Sequence, residues 1–173
     1  RLLLAQTEKA TLCGTVSEAP PRETVELLLF RQKLLDAAQN RRLSPGGRMQ
    51  KILTLSGASL PRRTARAWAA FFASLEPLEP GWTEALSKLD KPVDYAGFRA
   101  VSAAWETEYE QLLVYFLLRH LLADGGHGTA QRAAFAVLST AMLYALGAAA
   151  RTENGALTFG ERVELARLWS ANV

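Results

Sequence analysis

The sequence predicts an all-α protein, an irregular multi-helix bundle of about seven or eight helices forming one domain over residues 1–173. Three observations carry that expectation. Apolar residues recur at helical rather than strand spacing along nearly the whole chain, β-branched residues are thinly scattered among Leu and Ala, and several segments open on residues with helix-capping chemistry. With 49% hydrophobic and 21% charged side chains, 173 residues can bury most of the apolar surface that the unfolded chain exposes.

Taken in order, the first predicted helix is Leu2 to Leu12. It is set off by CGTVSEAPPR, Cys13 to Arg22, a linker pattern, so residues 1–22 read as a linker-attached helix. Glu23 to Asn40 is amphipathic and runs into the corner Gln39, Asn40, Arg41, Arg42, Leu43, Ser44, Pro45, with Arg48 just beyond. Ser44 can accept a backbone N–H as N-cap while Pro45 takes the first helical position, where its missing donor costs nothing. That opens the helix Pro45 to Leu55. Pro61 to Leu75 follows, with Arg62, Arg63 and Arg66 read as its solvent face, and then Gly81 to Leu89; Pro77, Pro80 and Pro92 fall between helices. Asp94 to Ala123 is expected as one long helix, broken by Asp124, Gly125 and Gly126. Thr129 to Ala150 comes next. Asn154 and Gly155 close the following loop, and Thr158 with Glu161 forms a T-x-x-E capping box that opens Phe159 to Ser170.

Composition excludes several function classes. Lys plus Arg number 20 against 17 Asp plus Glu, a net charge of +3, and no base-reading helix or aromatic platform accompanies the clusters Arg41, Arg42, Arg48, Lys51 and Arg62, Arg63, Arg66. Nucleic acid is therefore not the expected partner. The single cysteine, Cys13, rules out a disulfide framework or cysteine-rich metal site within these residues and fits a reducing, cytoplasmic compartment. RLLLAQTEKA lacks the apolar core of a signal peptide and begins with Arg1, which suggests a piece of a longer protein. Ala133 to Ala150 runs 18 residues without a charge, about 27 Å at about 1.5 Å per residue. Nearly half of it is alanine, however, so a central bundle helix is expected rather than a membrane span.

The candidate site residues lie on the helix around YEQLLVYFLLRH, Tyr109 to His120. Glu108, Gln111, Tyr115 and Arg119 share one stripe at about 100° per residue. The stripe either lines a pocket or groove or is a solvated, structurally paired face, and Arg119 needs a carboxylate or carbonyls as partner. Trp105, Glu106, Glu108 and Glu110 bring acidic groups together; no Glu-x-x-His spacing accompanies them, so no metal site is expected and a solvated acidic face is the default. His120, His127 and Cys13 show no nucleophile–base pattern.

Read together, the corner with Arg31, Gln39, Arg41, Leu43, Pro45 and Arg48, the Leu113, Val114, Tyr115 helix with its trailing Arg119, and the closing helix with Arg167 and Ser170 resemble the helical carboxy-terminal portion of the flagellin lysine N-methylase family. Asn40 stands where that pattern has an acid. The resemblance covers most of the chain from about Glu23 and implies a bacterial, S-adenosylmethionine-dependent protein-lysine N-methyltransferase acting on flagellin. It also implies a C-x-x-x-C-x-x-C cluster, and any metal or iron–sulfur chemistry it holds, outside these residues, leaving a fragment that is inactive alone and packs against the cluster-bearing region. A site that methylates lysine needs a carboxylate or tyrosine near the amine and aromatic walls around it. Tyr115 and Glu108 are the candidate catalytic groups; Trp105, Tyr109, Arg119, Arg41 and Arg48 are the candidate substrate-binding ones. The alternative is a non-catalytic helical domain that docks a partner through an apolar groove.

Overall fold

In the computed structural model, residues 25–121 and 128–173 are described. The expected helix Leu2 to Leu12, Cys13, the loop Asp124 to Gly126 and His127 lie outside them. The described residues are all-α with no strand. In chain order the helices are α1 (Val25–Ala38), α2 (Pro45–Ser56), α3 (Ala65–Ala73), α4 (Trp82–Ser87), a 3₁₀ turn (Lys88–Asp90), α5 (Tyr95–Ser102), a second 3₁₀ turn (Ala103–Trp105), α6 (Glu106–Leu121), α7 (Thr129–Asn154) and α8 (Phe159–Asn172).

The caps explain most boundaries. Ser44 Oγ accepts from the Gly47 N–H and Pro45 opens α2. Thr158 accepts from the Glu161 N–H while the Glu161 side chain accepts from the Thr158 N–H, so the capping box at the start of α8 is complete. Thr64 accepts from the Ala67 N–H, and α3 therefore begins four residues later than the Pro61 start expected from sequence. Arg63 then stacks over Trp68, its guanidinium carbon 5.3 Å from the ring centroid, and Arg66 pairs with Asp90.

The expected single helix Asp94 to Ala123 is instead two, and packing gives the reason. Phe98 and Tyr109 both meet the ring of Tyr144, at 4.9 and 5.3 Å between centroids. In one straight helix they would stand about 16 Å apart along the axis and could not share one ring. The 3₁₀ turn at Ala103–Trp105 folds the chain so that both reach it, and Ser102 Oγ shares a hydrogen bond with the Tyr144 hydroxyl at 3.2 Å.

Helix α7 is the axis, touching α2, α3, α4, α5, α6 and α8. It is the one described helix long and apolar enough to cross a membrane, yet 83% of that apolar stretch is buried inside the bundle. Its alanines leave room for close neighbours. The main core joins Leu34, Ile52, Phe72, Trp82, Phe116, Leu117, Leu146 and Trp169; Phe98, Ala148, Ala150 and Leu157 form a smaller second cluster. Trp169 anchors α8 from the first cluster, with ring centroids 5.0 Å from Phe72 and 5.5 Å from Trp82. At the end of α6 the backbone carbonyls of His120 and Leu121, orphaned by the helix ending, accept from the guanidinium groups of Arg132 and Arg31.

Two outcomes follow for stability. Trp169→Ala empties a wholly buried indole site and is expected to cost about 3–5 kcal/mol, read as a lowered denaturation midpoint at unchanged slope. His120 lies against Phe116 and Phe135, and burial, with Arg119 and Arg132 nearby, lowers its pKa from 6.5 to about 4. Between those values the unfolded chain binds the proton and the folded one resists it, so stability falls as pH drops through that window. In His120→Phe, unfolding followed from pH 6.5 to 4 should show a shallower loss.

Candidate functional site

Helices α6 and α8 both pack on α7. Glu108 meets Arg162 and Arg119 meets Ser170, so α6 and α8 run the same way, while Arg132 at the start of α7 reaches His120 at the end of α6, so α7 runs against them. A groove of about 420 Å³ remains between α6 and α8. Two matching stripes form its walls. From α6 come Glu108, Gln111, Leu112 and Tyr115; from α8 come Phe159, Arg162, Val163 and Ala166. Each set follows the i, i+3, i+4, i+7 spacing that places side chains on one helix face. Leu143 and Gly147 of α7 form the floor, with Tyr109 and Leu157 beside them. A Cβ on Gly147 would stand 3.1 Å from the Tyr109 hydroxyl, 3.2 Å from Phe98 and 3.3 Å from Leu157, so the floor has no room for a side chain without displacing all three. Tyr115, Phe159 and Val163 are exposed at the rim.

Two polar straps close the ends. At the first, Arg162 Nε and Nη2 donate to the two carboxylate oxygens of Glu108 at 2.7 and 2.9 Å, while its Nη1 donates to the Leu157 carbonyl. The same guanidinium lies 4.2 Å from the ring centroid of Trp105 and 5.6 Å from that of Phe159. At the second, Arg119 donates to the Tyr115 hydroxyl at 3.0 Å and to the Ser170 carbonyl at 3.1 Å. Burial raises the Tyr109 phenol well above its ordinary value, with Tyr144 adding to the effect, so it stays protonated at any physiological pH.

The candidate residues therefore divide. Glu108, Tyr109 and Tyr115 line the groove, Trp105 backs the first strap, and Arg119 forms the second. Arg41 and Arg48 stand elsewhere. Arg48, 1% exposed, donates to Glu110, to Glu106 and to the Asn40 carbonyl, which ties the α1–α2 corner to α6. Arg41 donates to both oxygens of Glu110 from the surface, and that pairing raises its pKa. Arg48 is thus held in the interior by Glu110 and Glu106 of its own chain, outside the groove. The expected solvated acidic face is also replaced: Glu106 and Glu110 face the arginines of the corner, and Glu108, half a turn round, faces Arg162.

Sequence reasoning missed Arg162, Phe159 and Gly147 as site residues. The signal was the repeat Phe159, Arg162, Val163, Ala166, a stripe of the same spacing as the one read on α6.

Among the described residues, no group of three or more His, Cys, Asp or Glu side chains could hold a metal ion. For the ribose hydroxyls and amino-acid end of S-adenosylmethionine the groove offers the Gln111 amide and the Thr107 hydroxyl, but its one carboxylate, Glu108, has both oxygens on Arg162. Comparison of the sequence with protein-family models and curated proteins, and of the fold with solved structures, finds no match.

The buried corner yields a stability outcome. Glu110→Ala leaves Arg48 in the interior with one of its two carboxylates and should cost about 3 kcal/mol. Arg41→Ala, an exposed partner of the same carboxylate, should change the denaturation midpoint little.

Proposed function

We propose that this chain is the helical, substrate-receiving part of a protein-lysine N-methyltransferase of the flagellin lysine N-methylase kind, acting in a bacterial cytoplasm. The α6–α8 groove takes the side chain of a lysine on flagellin or another protein. One observation carries the reading: two facing helical stripes flank a slot of about 420 Å³ with an apolar floor, to which α6 brings Glu108, Tyr109, Gln111 and Tyr115, and α8 brings Arg162 opposite Glu108. A lysine has a four-carbon stem to lie along Leu112, Leu143, Leu157 and Val163, and an amine to meet those groups. In this proposal the methyl donor and any cysteine-held cluster have no place in the groove, and the chain's own residues bind the stem, exclude water and orient the amine.

A second reading has its own support. With the charge of Glu108 matched by Arg162, the groove contains no unpaired carboxylate, which suits a non-catalytic domain that docks an apolar partner segment. Mass spectrometry of candidate proteins co-expressed with the intact polypeptide separates the two. The methyltransferase reading expects added methylene masses on lysine, falling at least tenfold with the double variant Tyr115→Phe, Glu108→Gln. Unmodified lysines across flagellin and other candidates would favour the docking domain, and full methylation by the double variant would move the site away from this groove.

A further inference from the structure

The Glu108–Arg162 strap determines which protonation state of an amine the groove can accept. We infer that Arg162 is a specificity-determining residue: by holding both oxygens of Glu108, it makes the groove receive lysine as the neutral amine, or an uncharged chain of the same length, and refuse the ammonium. This inference rests on the groove being the lysine site.

Few charged or titratable groups face the groove. Helix α6 supplies Glu108, Tyr109 and Tyr115, with Arg119 above Tyr115; helix α8 supplies Arg162. The floor from α7, Leu143 and Gly147, and the adjoining Leu157 supply no titratable group. Tyr109 is held in its protonated form by burial. The single carboxylate is matched by a guanidinium that is itself fixed three ways: two hydrogen bonds to Glu108, one to the Leu157 carbonyl, and stacking on Trp105 at 4.2 Å. Arg162 is 14% exposed, so its charge is poorly screened by solvent.

An entering ammonium therefore meets an apolar floor, a single carboxylate whose charge Arg162 already matches, neutral hydroxyl and amide groups, and a guanidinium at each end. Desolvation and like charge act in the same direction, and both lower the pKa of an incoming lysine. The proton passes to solvent before the side chain enters. The neutral amine left behind carries the lone pair that an alkylation of nitrogen requires, so the same strap that excludes the cation prepares the nucleophile.

The test uses the full chain and two peptides of apolar residues that differ at one central position, lysine or its uncharged isostere norleucine, titrated calorimetrically at pH 7 and pH 10. The wild type should bind the norleucine peptide at least tenfold more tightly at pH 7, with the gap narrowing as pH approaches the ordinary lysine value of about 10.4. Arg162→Gln frees Glu108 and should reverse the preference at pH 7, and Glu108→Gln added to it should abolish the reversal. Preference of the wild type for lysine at pH 7 overturns the inference and leaves the groove as the lysine site. An unchanged norleucine preference in Arg162→Gln also overturns it, because Arg162 would then not set the discrimination. Binding of neither peptide by the wild type removes the groove reading itself. The wild-type comparison stands even if the variants do not fold.

Discussion

The thinness of α7 is the constraint on which the rest of the structure depends. Its buried residues include Ala133, Ala134, Ala136, Ala145, Ala148, Ala149 and Ala150 together with Gly147, so neighbouring helices approach its backbone closely. Six other helices lie against it, and the bulk of the core is supplied by them: Leu34, Phe72, Trp82, Phe116 and Trp169 pack as large side chains around a small-residue axis. Where two of those neighbours, α6 and α8, lean on the same axis without filling the space between them, a groove remains.

Electrostatics at the start of α6 then divides the molecule into a structural and a receptive side. Three carboxylates crowd the start of one helix, and two of them, Glu106 and Glu108, lie in its first turn, where the helix dipole favours negative charge. Alternate positions face opposite ways. Glu106 and Glu110 secure the α1–α2 corner through Arg48 and Arg41, while Glu108 secures α8 through Arg162. The corner motif Gln39 to Arg48 thus acts as a bracket for the helix that bears the groove.

How much of this was legible in the sequence varies with how local the cause is. Ser44–Pro45 and Thr158–Glu161 announce their helices because each cap is made by residues three apart. The stripe Glu108, Gln111, Tyr115, Arg119 was legible as a face, since one helix defines it, but its two meanings could not be separated without knowing what lay opposite. The break at Ala103–Trp105 was not legible: no proline or glycine marks it, and its cause is Tyr144, some forty residues later. The same holds for the pairing of the three glutamates, whose partners are all more than fifty residues away in sequence.

Gly147 has a consequence for how such a chain can vary. Where α7 floors the groove, the place of a methyl group on Gly147 is already crowded by Tyr109, Phe98 and Leu157. A single nucleotide change from a glycine to an alanine codon would raise the floor or push three side chains aside. Kindred sequences could therefore be sorted into deep-slotted and shallow-slotted forms by inspecting that one position.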